Sequence, residues 1–278
     1  MAKTILKWAG NKTKVMSNIV SHFPESFDTY VEPFAGALGA YLNADIDITN
    51  TRVILNDLNK ELINLYELFR KDCDKVLSIL SSFKRDEKSY LEIRSWDKAE
   101  SWNQRCQWEK AARTIYLNKQ GFNGLYRINK KSGAFNVPYN KNPRKGPYVT
   151  NEDAEKFINA IENVEFFSED FETFMSRDFG QNCLYYLDPP YVDIKDPNKS
   201  FEGYLCSFGL SEQIILLEKS EEVAKQGNTV IISNSYCKTT ESLYRQHEIH
   251  EILVNRTISA NASSRGKVSE VVVKINNI

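Results

Sequence analysis

The apolar run LYYLDPPYV, residues 184–192, ends in an acid, two prolines and an aromatic ring: Asp188, Pro189, Pro190 and Tyr191. A strand that only had to stop would need less, since a proline and a turn-forming residue suffice. Neither proline has an N–H to donate and both fix φ, so the pair makes a stiff corner. At the carboxyl edge of a sheet, where open α/β folds bind ligands, such a corner can hold a planar amine between the Asp188 carboxylate and the Pro189 carbonyl. Tyr191 can then stack on the ring that bears the amine. Proton acceptance, fixed geometry and stacking are what these residue types offer together.

Two further spots offer ligand chemistry. In EPFAGALG, Gly36 and Gly39 follow a short strand pattern and let backbone approach a ligand over the sheet edge. The spacing is not GxGxxG, and glycines after a strand also serve the turn alone. Asp57 lies 21 positions beyond Gly36 at the end of the next strand pattern, the place from which an acid can hydrogen-bond ribose hydroxyls. It can equally cap the helix that begins in LNKELINL.

Charge is unevenly placed. The formal net charge is only -1, yet residues 117–148 carry seven basic side chains (Lys119, Arg127, Lys130, Lys131, Lys141, Arg144, Lys145) and no Asp or Glu. Residues 149–180 reverse the sign with nine acids against Lys156 and Arg177. A basic run can be a mere solvated face. Here the cations alternate with Phe122, Tyr126, Phe135, Tyr139 and Tyr148, and with Asn118, Asn123, Asn129, Asn136 and Asn140. Cations for phosphates, amides for base edges and rings for stacking suit a nucleic-acid surface.

Several classes are disfavoured. GNKT at 10–13 lacks the upstream glycine and strand of a phosphate loop. HEIH at 247–250 is HxxH rather than HExxH and reads as a surface pair, not a metal site. Five scattered cysteines (Cys73, Cys106, Cys183, Cys206, Cys237) with no CxxC pair fit reduced thiols. No GxSxG or Cys/His arrangement argues for a hydrolase. At 41% hydrophobic and 26% charged, with no run near the roughly 18 apolar residues of a membrane span, a soluble cytoplasmic protein is expected.

The elements that must position these residues read as mixed α/β. TYVEPFAGALGAYL reads as strand, glycine turn and helix start; RVILNDLNKELINLYELFRK as a strand running into an amphipathic helix. Helical periodicity continues through KELINLYELFRKDCDKVLSILSSF and QWEKAARTIYLNK, followed by a Gly-, Asn- and Pro-rich stretch. Strand patterns return at VEFFS, CLYYLD, NTVIISNS and SEVVVKI, with a helix at SEQIILLEKSEEVAKQ. The expected organisation is an α/β domain from residues 1–58 and 160–278, interrupted by a mainly helical domain at 59–159.

In order, the motifs resemble the Dam-type DNA adenine-N6 methyltransferases, including the GATC-modifying methylases of restriction systems. LKWAGNKTKV resembles the family's N-terminal cofactor motif KWAGGK, EPFAGALG its FxGxG motif, LNDLN its acidic loop, FNGLYRIN and FNVPY its target-recognition segment, and DPPY its catalytic motif. SSRGKVSEVVV resembles the C-terminus of the restriction-linked members. The resemblance runs from end to end. It implies a Rossmann-like S-adenosylmethionine-dependent methyltransferase sheet with an inserted target-recognition domain, and methyl transfer to N6 of a flipped-out adenine in GATC.

Carried across residue by residue, the family's roles place S-adenosylmethionine against Trp8, Gly10, Lys12, Phe34, Gly36, Asp57, Asp170, Phe171 and Asp188. Asp57 takes the ribose hydroxyls, and Asp170 with Phe171 the adenine. Asp188, Pro189, Pro190 and Tyr191 carry the catalytic motif. Among DNA contacts, Arg127 reads a guanine through O6 and N7 and Lys7 the outer guanine. Leu125 and Pro138 meet thymine, and Asn123 and Lys141 the backbone. The implied product is S-adenosylhomocysteine, and no metal is called for. Double-stranded DNA is the partner, with room for a cognate restriction endonuclease, and the protein itself is a monomer or weak dimer without membrane attachment.

Three positions depart from the pattern. Asn11 stands for the second glycine of KWAGGK, Leu38 for the second glycine of FxGxG, and Asn142 where an intercalating aromatic is usual. The last leaves GATATC open as the target. A cytosine-N4 or RNA amine methyltransferase more often has Ser or Asn in place of Asp188. A DNA-binding module without catalysis is the non-enzyme alternative, disfavoured by the intact Asp188 and Tyr191.

Overall fold

A computed structural model describes residues 2–8, 10, 12–129, 131–142, 146–194, 196, 208–255 and 267–276. Asn11, Lys130, Arg144, Lys145, Cys206 and the SSRG of the C-terminal motif lie outside the described residues. The centre is a seven-stranded sheet in the order β3-β2-β1-β4-β5-β7-β6. In chain order the strands are β1 (Thr29–Glu32), β2 (Arg52–Asn56), β3 (Glu165–Phe167), β4 (Cys183–Leu187), β5 (Thr229–Ser235), β6 (Glu248–Asn255) and β7 (Lys267–Ile275). The strands β1 to β5 pair in parallel, and β7 runs antiparallel between β5 and β6. The order reverses between β1 and β4, so the loops leaving their carboxyl ends diverge into a crevice. That is the ligand position of doubly wound folds.

Both faces of the sheet are covered, which is why its strands read as continuous apolar runs. Tyr30, Val53, Leu55, Leu184 and Tyr186 point to one core, and Val31, Ile54, Tyr185 and Leu187 to the other. The helices are α1 (Met16–Val20), α2 (Lys60–Lys71), α3 (Cys73–Ser82), α4 (Glu87–Arg94), α5 (Gln107–Gln120), α6 (Asn151–Ile161), α7 (Phe171–Met175), α8 (Leu210–Lys225) and α9 (Lys238–Leu243). Those from α2 to α6 fall in the excursion between β2 and β3. Their apolar residues, Tyr66 and Phe69 to Tyr90 and Ile115, are continuous with the first core. The second core takes Phe174 of α7 and Leu216 and Val223 of α8.

Three expectations are corrected. The helix expected in EPFAGALGAYL is only a 3-10 turn at Tyr41–Asn43, because Gly36 and Leu38 adopt φ of 48° and 61° and break the right-handed path. The long helical pattern after Asn59 divides at Asp72, whose carboxylate accepts a hydrogen bond from Lys75 N at 3.0 Å and caps a new helix. The edge strand β6 has no counterpart in the sequence reading, and the surface-pair reading of HEIH holds for His250, 41% exposed, but not for His247. The His247 side chain is 3% exposed with Nε2 3.0 Å from Glu221, while His250 stacks on His22 at 4.3 Å. Among the described residues, Cys73, Cys106, Cys183 and Cys237 are free thiols, and no helix is long and apolar enough to cross a membrane.

Candidate active site and nucleic-acid face

The loops at the carboxyl ends of β1 to β4 line one cleft. Trp8, Gly10, Lys12, Phe34, Gly36, Asp57, Asp170, Phe171 and Asp188 all line it, as does Pro190. Residues spread over most of the chain thus converge because parallel strands deliver their loops to one edge. A buried amide joins three of those loops: Asn56 donates to Pro33 O and Glu169 O, both at 3.0 Å, and accepts from Glu169 N at 2.9 Å.

At one end of the cleft Asp57 braces the loops without capping α2. Its carboxylate accepts from Gly36 N and Asn59 N, each at 2.8 Å, while the cap of α2 is Asn59, which accepts from Glu61 N. Each Asp57 oxygen takes a single backbone donor and keeps a lone pair for a hydroxyl. Burial raises its pKa, opposed by the two amides. Glycine suits position 36 on two counts, since its φ of 48° costs a side-chain-bearing residue energy and a Cβ there would press on Trp8 Nε1 at 3.0 Å. Along the wall, Phe34, Phe171 and Phe208 form a trio with centroids 5.5 to 5.8 Å apart. Asp170 is exposed and caps α7 through Glu172 N. A ribose-type diol acceptor, aromatic walls and acids beside them fit the polar and apolar parts of an adenosyl cofactor.

At the other end Asp188 is held by a cation. Lys12 Nζ lies 2.9 Å from Asp188 Oδ1, donates to Gly10 O at 3.1 Å and stands 4.7 Å from the centroid of the Tyr191 ring. Lys12 is buried, and Asp188 is 19% exposed. Burial raises the Asp188 pKa and the Lys12 ammonium opposes the rise. Glu32, 1% exposed at the end of β1, accepts from Tyr30 OH at 3.2 Å; burial pushes its pKa well up, with repulsion from Asp188 adding to it.

The DPPY corner is fixed from behind by Gln213 and Asn234, which no sequence motif marked, and by Glu270 of the C-terminal motif. The fully buried Gln213 donates to Pro190 O at 2.8 Å. Asn234 accepts from Val192 N at 3.0 Å and donates to Gln213 Oε1 at 3.0 Å. Tyr191 OH donates to Glu270 Oε2 at 3.0 Å, and Pro189 is buried. Since Gln213 already occupies the Pro190 carbonyl, the corner's geometry rests on buried amides as well as on proline stiffness.

The expected DNA contacts gather on a ribbon, residues 121–129 and 131–140, whose arms meet at the bridges Gly121↔Tyr139 and Ile128↔Phe135. Asn123 (φ 56°), Leu125, Arg127 and Pro138 are exposed on it. Lys7 stands beside its turn, main chain bonded to Asn118. Arg127 Nε donates to Asn136 Oδ1 at 2.7 Å, which fixes the guanidinium at its inner edge. Phe122, 47% exposed, belongs to the same face. Lys141 is exposed just beyond the ribbon. Sequence reasoning missed Glu32, Asn59, Tyr126 and Phe208 as cleft residues. Asn59 and Tyr126 lie inside the motifs LNDLN and FNGLYRIN and were within reach; Phe208 has no local signal.

Residues 8–258 match the family model of the D12 class N6 adenine-specific DNA methyltransferases. The chain is 31% identical over 272 residues to the Type II methyltransferase M1.LlaDCHI of Lactococcus lactis subsp. cremoris, covering 96% of this chain and 93% of that protein. It is 31% identical over 269 residues to the DNA adenine methylase of Escherichia coli strain K12, covering 97% and 94%. To the DNA adenine methylase of Vibrio cholerae it is 34% identical over 277 residues, with the same coverage.

Proposed function

The chain belongs to the D12 class of N6 adenine-specific DNA methyltransferases, and we propose on that footing that it methylates N6 of the adenine in GATC, flipped out of duplex DNA against Asp188 and Tyr191. The observation that carries this reading is the convergence of nine expected cofactor residues, Asp188 among them, on one cleft beside a ribbon of expected base contacts. In this reading residues 59–159 form the target-recognition domain, and the remainder the catalytic domain. The name Type II methyltransferase on a relative supports a companion restriction endonuclease acting on the same site.

S-adenosylmethionine, when bound, supplies a sulfonium methyl group. Trp8, Gly10, Phe34, Gly36, Asp57, Asp170 and Phe171 hold it, with Asp57 taking the ribose hydroxyls on the lone pairs its backbone donors leave free. An adenine inside a duplex cannot reach the cleft, and flipping it costs about a few kcal/mol. Tyr191 returns part of that by stacking, about 1–3 kcal/mol per base. The base takes over both contacts of the Lys12 ammonium, the one on Asp188 and the one over the Tyr191 ring. With Asp188 and the Pro189 carbonyl accepting its two N–H bonds, the amino lone pair is turned out of conjugation and aimed at the donor, and the positive charge that develops on nitrogen faces a carboxylate. Asp188 then holds the released proton.

A duplex with 2-aminopurine at the target adenine tests the flipping step. Binding in the presence of S-adenosylhomocysteine should raise its fluorescence in the wild type and in Asp188→Ala alike, while Asp188→Ala transfers no methyl group to an ordinary duplex. Full turnover by Asp188→Ala, or no fluorescence rise with the wild type, overturns the mechanism.

A further inference from the structure

We propose that Tyr126, carried by the segment that reads the target, is also a wall of the cofactor pocket and couples cofactor binding to target recognition. The inference rests on the assignments made above to the cleft and the ribbon. Leu125 and Arg127 are exposed on the ribbon, but Tyr126 between them turns inward, as alternation in an extended segment requires. It lines the cleft together with Trp8, Asp57 and Asn59. Its ring centroid lies 5.3 Å from that of Trp8 and 5.5 Å from that of Phe135. Its hydroxyl donates to Asn59 Oδ1 at 3.4 Å, and Asn59 N donates to Asp57. The residue expected to hold the ribose is therefore two contacts from the residues expected to read bases.

A second tie makes the two segments one body. Asn118, 4% exposed, accepts from Lys7 N at 2.8 Å and donates to Lys7 O at 2.7 Å and to Gly124 O at 3.1 Å. Gly124 has φ 66°, and a Cβ there would lie 2.5 Å from Lys7 Cβ, so the chain entering Trp8 and the turn entering Leu125 touch without room for a side chain. A ligand packed against Trp8 and Tyr126 steadies the ribbon in its reading position. A duplex that steadies the ribbon holds the Tyr126 ring in place for the ligand, and the coupling is the same in both directions.

The test is calorimetric titration of the full chain with S-adenosylhomocysteine, alone and with a saturating GATC duplex. The wild type should bind more tightly with the duplex present. Tyr126→Leu should weaken binding in the absence of DNA about tenfold, the scale of one aromatic contact, and bring the ratio of affinities with and without duplex close to one. Tyr126→Phe, which keeps the ring and loses only the 3.4 Å hydroxyl bond to Asn59, should lie closer to the wild type than to Tyr126→Leu in both affinity and ratio. Melting of each apoprotein checks the fold, and Tyr126→Met, unbranched and able to fill the same space, replaces leucine if leucine lowers it. Wild-type affinity and wild-type ratio in the folded variant overturn the inference, and weaker binding with an unchanged ratio overturns the coupling. A wild type that binds no S-adenosylhomocysteine overturns the cofactor reading itself, and this inference with it.

Discussion

Asp188 must be ionised to accept a proton, and it lies where burial favours the neutral acid. Lys12, 2.9 Å away, works against that burial. The acid limb of kcat/KM, which reports ionisations of the free enzyme, should therefore lie above the ordinary carboxylate range. Removing the cation in Lys12→Met should move it to still higher pH; a limb unmoved in the variant would separate Asp188 from the chemistry. The sign is that of an acid whose pKa burial raises: the lost activity is recovered as pH rises through the raised value. At the ribbon, Arg127 is exposed and held by Asn136 on one edge, Nε on Oδ1 at 2.7 Å and Nη2 on the main-chain oxygen at 3.4 Å, so that its Nη1–Nη2 edge is the one suited to guanine O6 and N7. Arg127→Ala should lose about 1–3 kcal/mol of discrimination between GATC and a duplex with that guanine replaced. Unchanged selectivity in competition turnover would remove the assignment.

Among the elements, every strand but the edge strand β6, together with α2, α5 and α8, was legible because sheet burial and helix amphipathicity leave periodic marks. The loop after β1 was not. Its sequence has helix-forming residues, and what overrides them is Leu38 at φ 61° with its side chain fully buried. The left-handed conformation costs a non-glycine residue about 1–2 kcal/mol, whereas burying a leucine contributes about 1.5–3 kcal/mol and leaving a cavity costs more. Burial wins, so Leu38→Gly, although it relieves the backbone, should lower the melting temperature. A gain in stability would mean that strain dominates the loop. The DPPY corner shows the other limit of sequence reading. The motif announced itself, but Gln213 and Asn234, which fix it from α8 and β5, are distant in sequence and carry no local signal, and Glu270 of β7, though inside SSRGKVSEVVV, gave no sign of its bond to Tyr191.

For the molecule as a whole, net charge was a poor guide. A chain of formal charge -1 can bind a polyanion where basic residues collect without acids, as they do in sequence over residues 117–148, since the electrostatic attraction is set by local phosphate contacts. The order of the strands then brings the ribbon beside the cleft at the sheet's carboxyl edge. The measurement that tests the central claim most directly is incubation of the purified protein with methyl-tritiated S-adenosylmethionine and two duplexes, one containing GATC and one with its adenine replaced, followed by identification of the labelled base. The prediction is N6-methyladenine in the first duplex and none in the second. Label on another base, or equal label in both duplexes, would contradict it.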